Sequence, residues 1–258
     1  MKEKLRFHIE EFDIKLDTDF IGRNFLYIDY IDSTNKYLMQ NKENMPSGTV
    51  LLAEEQTHGR GRKQRFWFSL PEQSLTFSIL LKEKIPVQKV SLLNLATAVA
   101  VAQAIENLFQ LKINLKWPND VLINGKKVAG ILLESSTKGE QLEKLVIGIG
   151  INVNQPFFKG SFSLAPTSIR LEFGKIVSRE KLLCEILNIF EEIITGFPNN
   201  ETKILNYWRE KCRMIGEKIT ITDEKLEKFG IFDDIDENGY LLLKTPTGIE
   251  KISYGDIS

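Results

Sequence analysis

The dipeptide Asn124-Gly125, set between two apolar β-branched runs, limits the possible folds of this chain more than any other feature. A type I′ turn needs positive φ at both central residues, and asparagine and glycine reach that conformation most readily. The sequence therefore predicts an antiparallel hairpin with strands at residues 120–123 and 126–134.

The second strand of this hairpin carries a lysine among apolar residues. A period of two puts Lys127 on one face with Ala129 and Ile131, where an ammonium group would need an anionic partner. Asp120 begins the first strand, so a carboxylate is available nearby. Taken alone, the pair Lys126-Lys127 after the turn is better explained as two solvated charges. Only the rest of the chain favours a functional role for Lys127.

Apolar periodicity predicts the other elements of a mixed α and β domain. Strand patterns occupy residues 25–31, 49–55, 75–81, 113–117 and 142–152, and helical patterns occupy 32–42, 91–110, 179–197 and 201–212. The run at 91–109 is the longest apolar one, but polar residues interrupt it. A buried amphipathic helix is therefore expected there instead of a membrane span.

Beyond Gly216 the pattern changes to short strands separated by turns. These strands are expected at 217–222, 228–235, 240–244 and 248–253. Between residues 217 and 258 there are ten Asp or Glu against five Lys, which argues against a nucleic-acid surface there. We expect an α+β fold with a mixed sheet and packed helices in residues 1–215, followed by a small β-domain in 216–258.

Charge and cysteine content narrow the functional classes. The chain holds 34 Lys and Arg against 35 Asp and Glu, so no global field favours nucleic acid or an anionic membrane. Cys184 and Cys212 show no metal-ligand spacing and suit reduced thiols buried in a core. The N-terminus is charged and lacks the apolar region of a signal peptide, so a cytoplasmic location is expected.

A basic loop follows the second predicted strand. Four Lys or Arg and no acidic residue lie between Gln56 and Arg65, with Gly59 and Gly61 among them. The like charges of such a loop repel one another, so it is expected to become ordered when it binds a phosphate-bearing ligand, to which arginine can donate two hydrogen bonds. A solvated loop or an RNA contact would explain the same composition.

Two further polar segments stand at the ends of strands. Residues 33–35, Ser-Thr-Asn, open a helix and cap it by default, although their side chains could equally face a ligand. The sequence Gly148-Ile149-Gly150 lies inside a strand that ends at Asn152. Glycines there would let a ligand lie against the backbone.

Taken together and in order, five motifs closely resemble those of the biotin protein ligases. The motifs are Asp32-Ser33-Thr34-Asn35, the basic loop from Gln56 to Trp67, Lys116-Trp117-Pro118-Asn119-Asp120, Lys127-x-Ala129-Gly130-Ile131, and residues 148–154. The resemblance covers residues 25–258. It implies a catalytic domain shared with lipoate ligases and a C-terminal SH3-like β-barrel. It also implies that biotin and ATP with Mg²⁺ form biotinyl-5′-adenylate, whose biotinyl group passes to a lysine of a biotin carboxyl carrier protein, a subunit of acetyl-CoA carboxylase.

The resemblance carries roles onto individual residues. It implies that biotin is bound by Ser33, Thr34, Asn35, Gln56, Arg60, Gly61, Arg62 and Lys127. It implies that the nucleotide is bound by Trp67, Asn119, Asp120, Lys127, Ala129 and Asn152. Lys127, Arg62 and Asp120 are the expected catalytic residues, with Asp120 orienting the acceptor lysine or holding metal. The resemblance assigns no dedicated set of metal ligands.

The sequence also departs from the family pattern. Gln64 stands where a glycine is frequent, and Phe66 stands where a basic residue is common. Regulatory members carry an N-terminal winged helix-turn-helix of about 60 residues, whereas only some 24 residues precede the first strand here, so a monofunctional enzyme without DNA binding is expected. A lipoate or octanoate ligase and an Arg-rich-loop nucleic-acid-binding protein are the alternatives. The oligomeric state, monomer or homodimer, is left open.

Overall fold

A seven-stranded mixed sheet forms the centre of the computed structural model, which describes residues 6–40, 44–83, 85–139, 141–223 and 227–257. Its strands are β1 (Phe25–Ile31), β2 (Val50–Gln56), β3 (Ser74–Leu81), β4 (Ile113–Lys116), β5 (Asp120–Ile123), β6 (Lys126–Lys138) and β7 (Gln141–Asn152). The order across the sheet is β1-β2-β3-β7-β6-β5-β4. Only β1 and β2 run parallel, and every other neighbouring pair is antiparallel. The predicted mixed sheet is therefore confirmed.

The predicted hairpin is present, with φ of 51° at Asn124 and 75° at Gly125. The predicted face of Lys127 is wrong, because β6 contains a bulge. Val121 pairs with Ala129 but Leu122 pairs with Lys127, so Val128 is one extra residue that shifts the alternation. Lys127 consequently lies on the opposite face of β6 from Ala129 and on the same face as Gly130. A Cβ added to Gly130 would stand 3.0 Å from Lys127 Cε.

Six α-helices, counted over the residues that the structure describes, pack around the sheet. They are α1 (Ile9–Lys15), α2 (Thr34–Gln40), α3 (Val90–Phe109), α4 (Ile169–Phe173), α5 (Arg179–Gly196) and α6 (Glu201–Lys211). The sequence predicted α2, α3, α5 and α6 but not α1 or α4, and the predicted end of α2 at Lys42 lies outside the described residues. Residues 87–109 are long and apolar enough to cross a membrane by composition alone, yet 67% of their most apolar window is buried inside the protein. The predicted burial of α3 is confirmed, although on most sides of the helix and not on one face.

The N-terminal segment of residues 6–24, for which the sequence suggested no role, packs along α5. Glu191 accepts hydrogen bonds from the backbone N–H groups of Phe20 at 3.0 Å and Ile21 at 2.7 Å. The side chains of Phe12 and Ile21 are fully buried in the main core. This segment is therefore part of the hydrophobic core and not an appended tail.

A buried ion pair joins β2 to the first turn of α5. Arg179 donates two hydrogen bonds of 2.8 Å to the two carboxylate oxygens of Glu54, and Tyr27 donates a third to the same group at 2.8 Å. Burial raises the pKa of Glu54, but the hydrogen bonds and charge of Arg179 outweigh it, so that pKa lies below its usual value. Burial and then the bond to Glu54 raise the pKa of Tyr27 to about 12.

The C-terminal region forms a five-stranded antiparallel sheet, which contains the four predicted strands and a short fifth strand that the sequence did not indicate. Its strands are β8 (Lys218–Thr222), β9 (Glu227–Ile235), β10 (Leu241–Thr245), β11 (Gly248–Ile252) and β12 (Asp256–Ile257), in the order β11-β10-β9-β8-β12. Trp117 Nε1 donates to the carbonyl of Gly239 at 3.1 Å, and the Trp208 ring lies 6.3 Å from the Phe232 ring. These contacts fix the small sheet beside the hairpin of the large one.

Candidate active site

A cavity of about 840 Å³ opens between the hairpin, the basic loop and the C-terminal sheet. All but one of the residues to which the sequence assigned a role line it: Ser33, Thr34, Asn35, Gln56, Arg60, Gly61, Arg62, Trp67, Asn119, Asp120, Lys127 and Asn152. The exception is Ala129, which is fully buried in the hydrophobic core. Residues scattered over 120 positions of sequence are thus gathered around one volume.

One end of the cavity is a network of neutral polar groups at the start of α2. Thr34 N–H donates to Gln56 Oε1 at 2.7 Å, and Ser78 Oγ lies 2.6 Å from both Thr34 Oγ1 and Asn35 Oδ1. Ser33 Oγ accepts a longer bond of 3.4 Å from the N–H of Lys36 and so caps the helix. The sequence allowed residues 33–35 either to cap the helix or to face a ligand. Ser33 makes the capping contact, whereas Thr34 and Asn35 belong to the polar network of the cavity.

A carboxylate that the sequence did not single out holds this end together. Glu134 accepts from Asn35 Nδ2 at 2.8 Å with one oxygen and from Arg60 Nη2 at 2.9 Å with the other. The contact to Asn35 also fixes which way its amide points, with Oδ1 towards Ser78. Alternation along β6 gave no reason to select Glu134, because its partners come from α2 and the basic loop.

Two glycines of β7 leave room for side chains of the site. A methyl group on Gly148 would overlap Asn35 Oδ1, and one on Gly150 would stand 2.5 Å from Trp67 Cε2. The sequence predicted that these glycines admit a ligand against the backbone, and both of them line the cavity. The absence of a Cβ also lets the side chains of Asn35 and Trp67 pack directly against the sheet.

The middle of the cavity concentrates positive charge around one aspartate. Lys127 Nζ lies 2.5 Å from Asp120 Oδ1 and 5.7 Å from the centre of the Trp67 ring. Among the described residues no group forms a well-directed hydrogen bond to that buried Asp120 oxygen, so its contact with Lys127 is ionic. The backbone of Lys127 is held by a hydrogen bond from its N–H to Ala165 O at 2.8 Å.

A second lysine in this region was missed as a site residue. Lys116 lines the cavity at the end of β4. Burial lowers its pKa, and the positive charges of Lys127 and Arg65 act in the same direction, against the charge of Asp120. Crowded cations in a half-buried cavity indicate a site for an anionic ligand. Its place in the Lys-Trp-Pro-Asn-Asp motif was the available clue.

The basic loop lines the cavity and contacts the C-terminal sheet. Asp256 of β12 lies 3.3 Å from Arg62 Nη1 and 3.4 Å from Lys63 Nζ, and it also pairs with Arg65. Phe66, one of the two departures from the family pattern, is 72% exposed. Asp256 was not predicted as a site residue, because nothing local in the sequence links it to a loop 190 positions earlier.

The described residues contain neither a cluster of metal ligands nor a disulfide. Within the residues that the structure describes, no three His, Cys, Asp or Glu side chains are grouped so that they could hold a metal ion. Cys184 and Cys212 are both buried and unpaired. Burial raises the pKa of Cys184 to about 12 and that of Cys212 to about 11, as expected of inert core thiols.

Comparison with known proteins identifies the two regions of the chain as known family domains. Residues 27–152 match the Biotin/lipoate A/B protein ligase family, and residues 214–258 match the Biotin protein ligase C terminal domain. A bifunctional ligase/repressor BirA of Bacillus spizizenii is 37% identical over 246 residues, covering 94% of this chain and 76% of that protein. A biotin–acetyl-CoA-carboxylase ligase of Paracoccus denitrificans is 31% identical over 232 residues, covering 88% and 96%.

A solved structure extends the similarity to three dimensions. The biotin protein ligase of Aquifex aeolicus, in complex with biotin and ATP, superimposes with a TM-score of 0.77 at 32% identity. The match covers 92% of this chain and 98% of the other. The large sheet, the helices and the C-terminal sheet therefore share one known architecture.

Proposed function

Since the chain belongs to the biotin protein ligase family and is a ligase, we propose that it activates biotin with ATP and attaches it to a carrier protein. The intermediate is biotinyl-5′-adenylate, and the acceptor is a lysine of the biotin carboxyl carrier protein of an acetyl-CoA carboxylase in the cytoplasm. One observation carries the proposal: a polar end, in which the charges of Arg60 and Glu134 are paired, adjoins a cationic centre in one cavity. That combination suits a ligand with a polar ring at one end and a carboxylate at the other.

The first step needs no nucleophile from the protein. The carboxylate of biotin is ionised at neutral pH, so one of its oxygens can bond to the α-phosphorus of ATP while pyrophosphate leaves with the electron pair. The protein must position the two anions and stabilise the charge that develops as they react. We assign that task to Lys127, Lys116 and Arg62, all of which line the cavity.

The two substrates occupy opposite ends of the cavity in this proposal. The biotin ring lies against Thr34, Asn35, Gln56 and Arg60, with Ser33 and Gly61 beside them, because these residues form the polar end. The nucleotide lies near Trp67, Asn119, Asp120 and Asn152. Ala129 has no side-chain role here, since its methyl group is in the core.

Mg²⁺ is expected to accompany ATP, and Asp120 fits such an ion. Mg²⁺ is commonly held by one or two carboxylates together with substrate phosphates and water. Asp120 offers a buried oxygen that lies 2.5 Å from Lys127 Nζ but receives no well-directed hydrogen bond from any described residue. The ion would neutralise phosphate charge when bound.

In the second step the acceptor lysine attacks the carbonyl carbon of the adenylate. An amide bond to biotin forms, AMP leaves, and the amine loses its proton. Asp120 is the carboxylate best placed to orient that amine, because it lies in the cationic centre beside Lys127. Whether the enzyme works as a monomer or a homodimer does not alter this chemistry.

The substrate is tested by mass spectrometry of a carrier domain. Purified protein is incubated with ATP, the unmodified carrier domain, and biotin, lipoate or octanoate in separate reactions. We expect one biotinyl group to be added only when ATP is present. Labelling by lipoate or octanoate without biotin would support the alternative ligase, and DNA retention that weakens with salt would support the nucleic-acid-binding alternative.

A pair of glycine variants tests the two ends of the cavity separately. Gly148→Ala should displace Asn35 and weaken biotin binding about tenfold or more, because buried hydrogen bonds are lost, while leaving ATP affinity nearly unchanged. Gly150→Ala should displace Trp67 and weaken ATP binding instead. Calorimetric titration with each ligand measures both effects. Equal losses for both ligands in both variants would contradict the assignment of ends.

A further inference from the structure

One carboxylate of the C-terminal sheet holds three cations of the basic loop. Asp256 lies within ion-pair distance of Arg62, Lys63 and Arg65. Its side chain is 24% exposed, so these pairs are partly shielded from water and salt. No other carboxylate among the described residues forms an ion pair with these three loop residues.

Other groups of the same sheet support the contact. Lys63 Nζ also donates to the carbonyl of Thr222 at 3.1 Å. The Arg62 guanidinium carbon lies 4.9 Å from the centre of the Tyr254 ring, within the range of a cation–π interaction. The loop is therefore held on the C-terminal sheet by a carboxylate, an aromatic ring and a backbone carbonyl.

The observed loop conformation would be unfavourable without such partners. Four like charges lie between Arg60 and Arg65 and repel one another. Lys63 and Gln64 have φ of 54° and 57°, a left-handed conformation that residues other than glycine adopt at a cost. Gln64 stands where the family frequently has glycine, which adopts this conformation at no cost. In this chain the loop conformation therefore depends more on the contacts with the C-terminal sheet.

We propose that Asp256 is a positioning residue that keeps the basic loop closed over the cavity and so retains the anionic intermediate. The inference rests on the proposed function. Arg62 both lines the cavity and contacts Asp256, and therefore the carboxylate fixes a cation that faces the ligand. Removing the carboxylate frees the loop to open, and a bound adenylate then escapes before it reaches the acceptor lysine.

The test compares Asp256→Asn with the wild-type protein. Asparagine keeps the shape of the side chain and removes its charge. We expect trypsin to cleave the loop, at the bonds that follow its basic residues between positions 60 and 65, about tenfold faster than in the wild type. Pre-formed biotinyl-adenylate should also dissociate about tenfold faster, as the loss of a charge-assisted contact would cause. Biotin should correspondingly appear on lysines of an added bystander protein.

Two variants control for general damage. Glu250→Gln removes a carboxylate of the same sheet that pairs with Lys228 at 2.6 Å and does not contact the loop, so both rates should equal those of the wild type. Asp256→Glu should restore slow cleavage and slow dissociation. If Asp256→Asn does not fold, Arg65→Met removes one of the three ion pairs from the loop side, and it should speed both adenylate dissociation and cleavage after the remaining basic residues of the loop.

The outcomes separate this inference from the proposed function. Wild-type rates of loop cleavage and adenylate release in Asp256→Asn would overturn the inference, as would a lowered melting temperature with no change in either rate. If the wild-type protein forms no adenylate, the proposed function fails. The trypsin comparison of the unliganded proteins then still decides whether Asp256 holds the loop.

Discussion

Replacing Lys127 by alanine is expected to slow adenylate formation about 10²- to 10³-fold at saturating biotin and ATP. The biotin carboxylate and the α-phosphate are both negative and must approach each other. A cation between them stabilises the transition state more than it stabilises either bound substrate. Removing such a preorganised contact raises the activation free energy by roughly 3 to 4 kcal/mol. Lys127 meets this requirement because the bulge at Val128 turns its side chain into the cavity.

The neighbouring lysine provides a matched control. Lys126 is exposed and lies 3.8 Å from Glu172, outside the cavity. Lys126→Ala should therefore keep the wild-type rate in the same pre-steady-state measurement of adenylate. A Lys127→Ala protein with a near-normal maximal rate and only a raised KM for biotin or ATP would show that Lys127 contributes to binding alone.

Replacing Arg179 by methionine is expected to cost about 3 to 5 kcal/mol of folding free energy, because Glu54 is left buried without its cation. For a chain of this size such a loss lowers the melting temperature by about 6 to 20 °C. Arg179 is only 2% exposed and makes both of its 2.8 Å bonds to Glu54 inside the protein. Thermal unfolding followed by circular dichroism measures the change.

The same pair predicts how stability depends on pH. The pKa of Glu54 is lowered in the folded protein, so its charge contributes stability at pH values above the unfolded pKa of about 4.3. That contribution is lost as the pH falls through the folded pKa. The difference in stability between the wild type and Glu54→Gln should therefore narrow below about pH 4.

An exposed pair is the control for this prediction. Glu250 pairs with Lys228, and both side chains are about 40% exposed. Glu250→Gln breaks this pair and should change the free energy of unfolding by about 0 to 1 kcal/mol. If Arg179→Met unfolded at the same temperature as Glu250→Gln, the buried pair would contribute no more than a surface one. That result would contradict the importance assigned to its burial.

Local pattern accounted for most of the fold. The turn at Asn124-Gly125 and the period of the strands and long helices depend on neighbouring residues, and these were predicted to within a few positions. Gly130 inside the second strand indicated either a bulge or a close approach to the backbone. The position of the bulge at Val128 could not be predicted, because one extra residue leaves no mark in an apolar run. For the same reason the face of Lys127 was predicted wrongly, although the sequence did indicate that the Asp120 carboxylate lies near it on the hairpin.

The candidate site was predictable as far as its motifs reached. The residues with assigned roles gather around one cavity, except Ala129. Glu134 and Asp256 were missed because each meets the basic loop from a distant part of the chain. The presence of Gln64 in place of glycine was visible in the sequence. Its effect on the loop became clear only from the structure, in which Gln64 has a positive φ.

The packing of residues 6–24 has a practical consequence for anyone who wishes to trim this enzyme. A shortened protein beginning at Phe25 would still contain every strand of the large sheet. It would nevertheless leave α5 with the apolar surface that Phe12 and Ile21 now cover, and Glu191 would lose the backbone N–H groups that it accepts from. The smallest unit able to fold therefore starts well before the first residue with a proposed chemical role, and affinity tags are better joined ahead of this segment than substituted for it.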